Sequence, residues 1–460
     1  MILFLRNICM NYERAIAKLN SIQQPHLLNY WHELNEGEKS FLLQQIENLD
    51  IDTFHEQQAA INAPLLCDIS VDPFLDYQKV GSLENALLGK EAIEQGRSGC
   101  LIVAGGQGTR LHLEGPKGLY PISLIRHKSL FQLFSEKIVA ASKLALRPLQ
   151  AAIMTSPLNH GMTVAYFKAH ANFQLRKEQL DFFTQPMLPF LDDAGNLFLE
   201  KKGLLAEGPN GNGACLHQFW QEGLLAKWKE MGIEHLNFVM IDNPLADPFD
   251  AELLGMHIRN QNDITIKCTL RADPEEKVGV IVKQQQKVQV IEYTEFPENE
   301  RYARLSDGSL KHPCANISLF CISLSFIEKI CNNKRKMPLH ALHKKAPSLI
   351  DAAQKGWKFE HFIFDIFPLA AKIQALLYPR ERCFAPLKNL RGQDSPTSVQ
   401  DALQARDRQV YEELFSKKAP LAPFELAQDF YYPLPSYVNQ WKNHAMPPEG
   451  YLGETGCLDI

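Results

Sequence analysis

Two hydrophobic periods run along this chain, and the change from one to the other marks its parts. From residue 11 to about 95 the apolar positions recur at helical spacing. They include Leu27, Leu28, Tyr30, Trp31 and Leu34, then Phe41, Leu42, Ile46 and Leu49. This stretch predicts a packed helical cap and shows no chemistry. At Leu101–Ala104 the pattern becomes a short unbroken apolar run, closed by Gly105, Gly106 and Gly108. It predicts a buried strand of a parallel sheet. Ser129–Leu146 predicts an amphipathic helix with Leu130, Phe131, Leu133, Phe134 and Ile138 as its apolar face. Ala151–Met154 and Leu236–Ile241 read as further buried strands. Ile264–Leu270 and Val278–Val282 alternate as strands do. Val288–Tyr293 follows a polar turn at Gln284–Lys287, so the last two predict a hairpin. Strand alternating with helix predicts a doubly wound α/β domain.

Composition narrows the class. A chain of 460 residues is long enough for more than one domain. Its 45% apolar and 22% charged content is ordinary for a globular protein. A formal net charge of −5 gives no reason to expect nucleic-acid or membrane partners. Ten cysteines without a Cys-x-x-Cys pair read as buried thiols rather than a disulfide framework or a zinc site, which points to a reducing, cytoplasmic setting. The apolar run Met1–Leu5 meets Arg6 and Asn7 well before the ~18 residues needed to span a membrane. No small-residue cleavage site follows it, as a signal peptide requires, and Met10 offers a second start. No transmembrane segment and no internal repeat is visible.

The candidate chemistry gathers around the glycine loop. Three glycines in four positions let the backbone turn sharply and lie close to another group. After a buried strand such a loop presents backbone N–H groups to anions. Arg110 and Lys117 add two cations just beyond it, so the loop suits a nucleoside triphosphate; a tight turn with a solvated Arg and Lys is the plainer reading. It is not a Walker A loop, because Lys117 is followed by Gly118, and it lacks the last glycine of a dinucleotide fingerprint. Ligands of doubly wound sheets bind beyond the carboxyl ends of the strands, where this loop would lie. Further along, Gln185 offers an amide that can match a pyrimidine edge, or a turn residue. Glu207–Gly213 is a second glycine-rich loop, or a surface turn. Asp242 stands at a strand end, where a carboxylate can hold Mg2+ beside phosphates, or cap a turn. Glu292 can accept hydrogen bonds from sugar hydroxyls, or sit exposed on a strand.

The wording Ala104-Gly-Gly-Gln-Gly-Thr-Arg-Leu111, then Gly115-Pro-Lys-Gly118, resembles the signature of nucleotide-sugar pyrophosphorylases. More narrowly it resembles the eukaryotic-type UDP-N-acetylglucosamine pyrophosphorylases of the UDP-sugar pyrophosphorylase family. Matches continue in the family's order to about residue 400. They include Phe182-Phe-Thr-Gln-Pro-Met-Leu-Pro189, Gly211-Asn-Gly213, Asp242-Asn243, Val290-Ile-Glu-Tyr-Thr-Glu295, Cys314-Ala-Asn-Ile317, Lys344-Lys-Ala-Pro347, Trp357–Phe367, Phe384-Ala-Pro-Leu-Lys-Asn389 and Asp394-Ser-Pro-Thr397. Asn210 stands where the family usually has Asp, and the segment after Asp242 is shorter than usual.

The resemblance implies a mixed, Rossmann-like nucleotidyltransferase sheet. The expected division is a helical region 1–95, a catalytic domain 96–385 and a C-terminal region 386–460. It also implies a reaction of UTP with a sugar 1-phosphate to give a UDP-sugar and pyrophosphate, with Mg2+ held near Asp242. By the same resemblance Arg110, Lys117 and Lys388 are catalytic. Val103, Ala104, Gly105, Gly106, Gly108, Thr109, Gln185, Gly211, Asp242 and Lys358 bind the nucleotide. Asn212, Glu292, Tyr293, Asn316, Phe362 and Phe364 bind the sugar; for Asn316 a buried amide bonded to backbone is the alternative, and for the two phenylalanines a place in the core. The motif set leans to N-acetylglucosamine 1-phosphate. Glucose or galactose 1-phosphate is the second enzyme reading, and a non-catalytic UDP-sugar binder the third.

Overall fold

A computed structural model of the chain describes residues 10–62, 71–333, 337–349 and 355–454. The run Met1–Leu5, and with it the question of a leader, lies outside the described residues. The chain forms two compact units, and the smaller is discontinuous. It draws on the described residues of 1–66, Pro186–Gly213 and Met337–Phe362.

In this first unit, helices α1 (Tyr12–Ser21), α2 (Glu36–Asn48) and α3 (Ile51–Ile61) begin at Asn11, Asn35 and Asp50. Each of these side chains accepts a hydrogen bond from a first-turn backbone N–H, which satisfies a donor the helix itself leaves unpaired. Ala15, Leu19, Leu42, Ile46 and Phe54 pack with Leu191, Leu197 and Phe359. The N-terminal helices therefore close their core with two distant segments. Those segments pair as Met187–Pro189 with Glu207–Pro209 and as His340–Lys345 with Lys355–Glu360, both antiparallel. Backbone bonds between Leu191 and Trp357 join the two pairs.

The second unit holds the large mixed sheet. Its strands are β1 (Tyr77–Lys79), β2 (Ser98–Val103), β3 (Ala151–Thr155), β4 (Leu180–Thr184), β5 (His235–Met240), β6 (Ile264–Leu270), β7 (Gly279–Gln284), β8 (Lys287–Ile291), β9 (Cys314–Ser323) and β10 (Ile373–Leu377). The spatial order is β1-β10-β6-β9-β5-β2-β3-β4. β2 lies between β5 and β3, parallel to both, and β9 runs antiparallel between β5 and β6. Four-residue apolar runs buried on both faces belong in such an interior position. Around the sheet lie α4 (Leu83–Glu94), α5 (Leu130–Leu144), α6 (His160–Ala169), α7 (Ala251–Arg259) and α8 (Pro396–Phe415). α5 buries Leu130, Phe131, Leu133, Phe134 and Ile138, the face its periodicity predicts.

Two details depart from the pattern. The helical reading of 11–95 is interrupted by the short strands Asp72–Pro73 and β1. Val288–Tyr293 is too long: β8 ends at Ile291, and Glu292–Glu295 is a turn closed by the Glu295 N–H donating to the Glu292 carbonyl at 2.9 Å. β7 and β8 do form the hairpin. Its two turn residues, Gln285 and Gln286, have φ of 48° and 63°, the positive pair that matches the strand twist across a two-residue loop.

Candidate active site

The glycine loop starts where β2 ends. A side chain at Gly105 would put its Cβ 2.0 Å from Gln185 Nε2, and one at Gly108 would meet Leu113 Cβ at 2.6 Å. At Gly106 a Cβ would meet nothing within 4 Å. The loop is therefore closed on one side by Gln185 and open at Gly106. Gln185 leaves β4 with its N–H donating to the Thr155 carbonyl at 2.9 Å, and its side chain is only 4% exposed. Its Oε1 is buried and has no hydrogen-bond partner among the described residues. Such an atom costs ~1–3 kcal/mol unless something pairs with it.

The second motif folds back on the first. Gln107 and Pro116 form an antiparallel bridge, the Gly108 N–H donates to the Gly115 carbonyl at 2.9 Å, and the Lys117 N–H donates to the Gly106 carbonyl at 3.1 Å. This ladder explains the short spacing between the two motifs. It brings Lys117 Nζ to 3.4 Å from Asp242 Oδ2, with each side chain 18% exposed. Asp242 follows β5, the parallel neighbour of β2. Arg110 is exposed on the one-turn helix Thr109–Leu111.

The segment after Asp242 is held from two sides, on one of them by Lys137, a residue the sequence reading did not single out. Lys137, buried on α5, donates to the carbonyls of Pro244 at 2.5 Å and Ala246 at 2.8 Å. Burial pushes its amine down to about 8. Asn243 donates to the Cys383 carbonyl at 2.8 Å and accepts from the Ala385 N–H at 3.1 Å, while the Leu387 N–H donates to the Asp242 carbonyl at 2.7 Å. These bonds seat the segment carrying Lys388 against Asp242. Lys388 Nζ lies 3.7 Å from Asp394 Oδ2 and 5.5 Å from the centre of the Phe384 ring. A lysine within the apolar stripe of α5 was the one available signal for Lys137.

Of the sugar candidates in this unit, Glu292 and Asn316 flank Gly279. A Cβ there would lie 3.3 Å from Glu292 Oε1 and 3.7 Å from Asn316 Cβ. Asn316 Oδ1 accepts from the Ser318 N–H at 3.1 Å, so its carbonyl side follows the backbone-bonded alternative. Tyr293 lies beside Arg271, Phe296 and Arg301. Phe364 is 3% exposed, as a core residue is.

The remaining candidates belong to the first unit. Gly211 has φ of 84°, and both Gly211 and Gly213 lie so close to His361 that a Cβ would meet its backbone at 2.6 Å. The Gly213 N–H donates to the His361 carbonyl at 2.9 Å, and the His361 N–H to the Asn210 carbonyl at 2.8 Å. Asn210 Oδ1 also lies 2.6 Å from His361 Nδ1. The unusual Asn210 thus fastens the loop of Asn212 to the strand of Lys358. Lys358 is buried and paired with Glu360, and Phe362 packs on His340 with ring centres 4.5 Å apart.

Similarity to known proteins makes the chain a nucleotidyltransferase of the UDP-sugar pyrophosphorylase class. The chain belongs to the family described as UTP–glucose-1-phosphate uridylyltransferase, which matches residues 51–414. It is 32% identical over 417 residues to UDP-N-acetylglucosamine diphosphorylase 2 of Arabidopsis thaliana, an alignment covering 84% of this chain and 82% of that one. Among solved structures it is similar to the uridine diphosphate N-acetylglucosamine pyrophosphorylase of Trypanosoma brucei, with a TM-score of 0.82, 25% identity and coverage of 96% and 98% of the two chains. A UDP-glucose pyrophosphorylase mutant of Leishmania major shares the fold at a TM-score of 0.60 and 16% identity, covering 77% of each chain.

Proposed function

We propose that this chain makes UDP-N-acetylglucosamine and pyrophosphate from UTP and N-acetylglucosamine 1-phosphate. Uridylyl transfer from UTP to a sugar 1-phosphate is the reaction of its family. The observation that carries the nucleotide reading is the buried, unpartnered amide oxygen of Gln185 against the glycine loop. An N–H of a pyrimidine ring supplies the donor it lacks. The N-acetyl sugar is favoured because a relative of that name is 32% identical over most of both chains, whereas the UDP-glucose enzyme, at 16% identity, shares only the fold.

The sugar phosphate oxygen attacks the α-phosphorus of UTP in line, and pyrophosphate leaves. This needs alignment and charge neutralisation, and no protein nucleophile. Glycine-loop amides and Arg110 hold the triphosphate, Lys117 faces the phosphate undergoing transfer, and Lys388 meets the sugar phosphate. Gln185 contacts the base, and Glu292 and Asn316 receive the sugar.

The donor set fits Mg2+. One strand-end carboxylate, Asp242, beside a loop open to phosphates matches an ion held by one or two carboxylates and substrate oxygens. No cluster of three or more His, Cys, Asp or Glu suited to a protein-only cage occurs among the described residues. Bound Mg2+ supplies charge neutralisation to the phosphates. No helix among the described residues is long and apolar enough to cross a membrane. The seven cysteines among them are buried free thiols, which supports a cytoplasmic setting.

The test is pyrophosphate release from UTP and Mg2+ with N-acetylglucosamine, N-acetylgalactosamine, glucose and galactose 1-phosphates in parallel. Release confined to the N-acetyl sugars is expected. Release mainly with glucose or galactose 1-phosphate moves the enzyme to the second reading. Gly105→Ala is expected to raise KM for UTP about tenfold, the ~1.4 kcal/mol that a displaced Gln185 contact is worth. An unchanged KM in steady-state kinetics sinks the placement of the base beside Gln185.

A further inference from the structure

The glycine loop has a conformational problem that its own residues do not solve. Glycine accepts positive and negative φ almost equally, so the peptide planes around Gly105 and Gly106 can turn over at little cost. Turned one way they offer N–H groups to a phosphate; turned the other way they offer carbonyl oxygens, which repel it. Resting on the triphosphate reading above, we infer that Asn159 is the positioning residue that fixes this choice.

Asn159 directly precedes α6 and is 2% exposed. Its Nδ2 lies 3.1 Å from the Ala104 carbonyl oxygen and 3.4 Å from the Gly106 carbonyl oxygen. Its Oδ1 accepts from the Ser156 N–H at 2.8 Å, and its own N–H donates to the Ser156 carbonyl at 3.0 Å. The amide is thus held rigidly at one end by the turn after β3 and grips two loop carbonyls with the other. In a planar trans peptide the carbonyl of one residue and the N–H of the next point in opposite directions. Drawing the Ala104 and Gly106 carbonyls toward Asn159 turns the N–H groups of Gly105 and Gln107 away from it. The Lys117 N–H donates to the same Gly106 carbonyl, so the second motif reinforces this orientation. Asn159 itself touches no substrate atom; its effect reaches the triphosphate through the loop.

Two variants separate this role from general support of the fold. Asn159→Ala removes the grip without adding charge. Asn159→Asp keeps the oxygen that the Ser156 N–H needs, preserving the turn, but sets an oxygen against two carbonyl oxygens. Both are expected to raise KM for UTP about tenfold or more, with KM for the sugar 1-phosphate near wild type. The melting temperature falls in both, because Asn159→Ala orphans the buried Ser156 N–H and Asn159→Asp sets oxygen against oxygen, yet the folded enzyme persists. Calorimetry is expected to show UTP affinity falling by the same factor while uridine affinity stays unchanged, since uridine makes no phosphate contact. If wild type binds UTP and Asn159→Ala binds it equally well, the inference is overturned. Equal losses for UTP, uridine and sugar phosphate overturn it too, because they mark a general structural role. If wild type itself shows no affinity for UTP, the functional reading fails first.

Discussion

Lys117→Ala lowers turnover about a hundredfold, with the fold intact. Removing one preorganised charge contact to a reacting phosphate typically costs ~3 kcal/mol of transition-state stabilisation, and each ~1.4 kcal/mol is tenfold in rate. The backbone part of Lys117 survives the change, because its N–H still reaches the Gly106 carbonyl and keeps the two motifs paired. What is lost is the ammonium 3.4 Å from Asp242. A partly exposed pair of this kind contributes little to stability, so the melting temperature stays close to wild type. Pyrophosphate release under saturating substrates, with melting temperature as control, measures both. Near-normal turnover in a folded variant refutes the assigned role.

Asp242→Asn produces a loss of similar size with a different signature. The carbonyl that receives the Leu387 N–H remains, so the segment of Lys388 stays seated. On the proposed reading the carboxylate that would hold Mg2+ loses its charge, which would leave phosphate oxygens as the main hold on the ion. Turnover is expected to drop about a hundredfold, as for loss of one electrostatic contact, and half-saturating Mg2+ to rise. A Mg2+ titration at fixed UTP makes the distinction. An unchanged Mg2+ requirement shows that Asp242 does not hold the ion. Lys117 and Asp242 touch, so the double variant falls short of the product of the two single losses.

Much of the sheet was legible because its signals are local. Four consecutive apolar residues before three glycines read as a buried strand and its exit loop, and β2 does lie inside the sheet, flanked on both sides. Ile264–Leu270 matches β6 residue for residue. The loop was legible as a turn because three glycines in four positions mark one locally, although what crowds Gly105 is Gln185, 80 residues away. Asn159 and Lys137 escaped notice because their importance lies in what they reach, 55 and 107 residues away in sequence. An asparagine before a helix looks like any cap, and a lysine between apolar residues looks like a flaw in an amphipathic face. The second hairpin strand was read two residues too far, to Tyr293, because Glu292-Tyr293-Thr294 keeps a strand-like composition through what is a turn. The assembly of the first unit from three segments depends on tertiary packing, on which local periodicity is silent.

That assembly bears on how the protein is made. Leu42 and Phe54 share a core with Phe359, so synthesis must advance ~300 residues beyond the N-terminal helices before this core can close. At ~5–20 residues per second the ribosome takes roughly 15–60 s over that distance. Through that interval α1–α3 emerge with apolar faces lacking their later partners, and chaperones on the nascent chain have time to hold them.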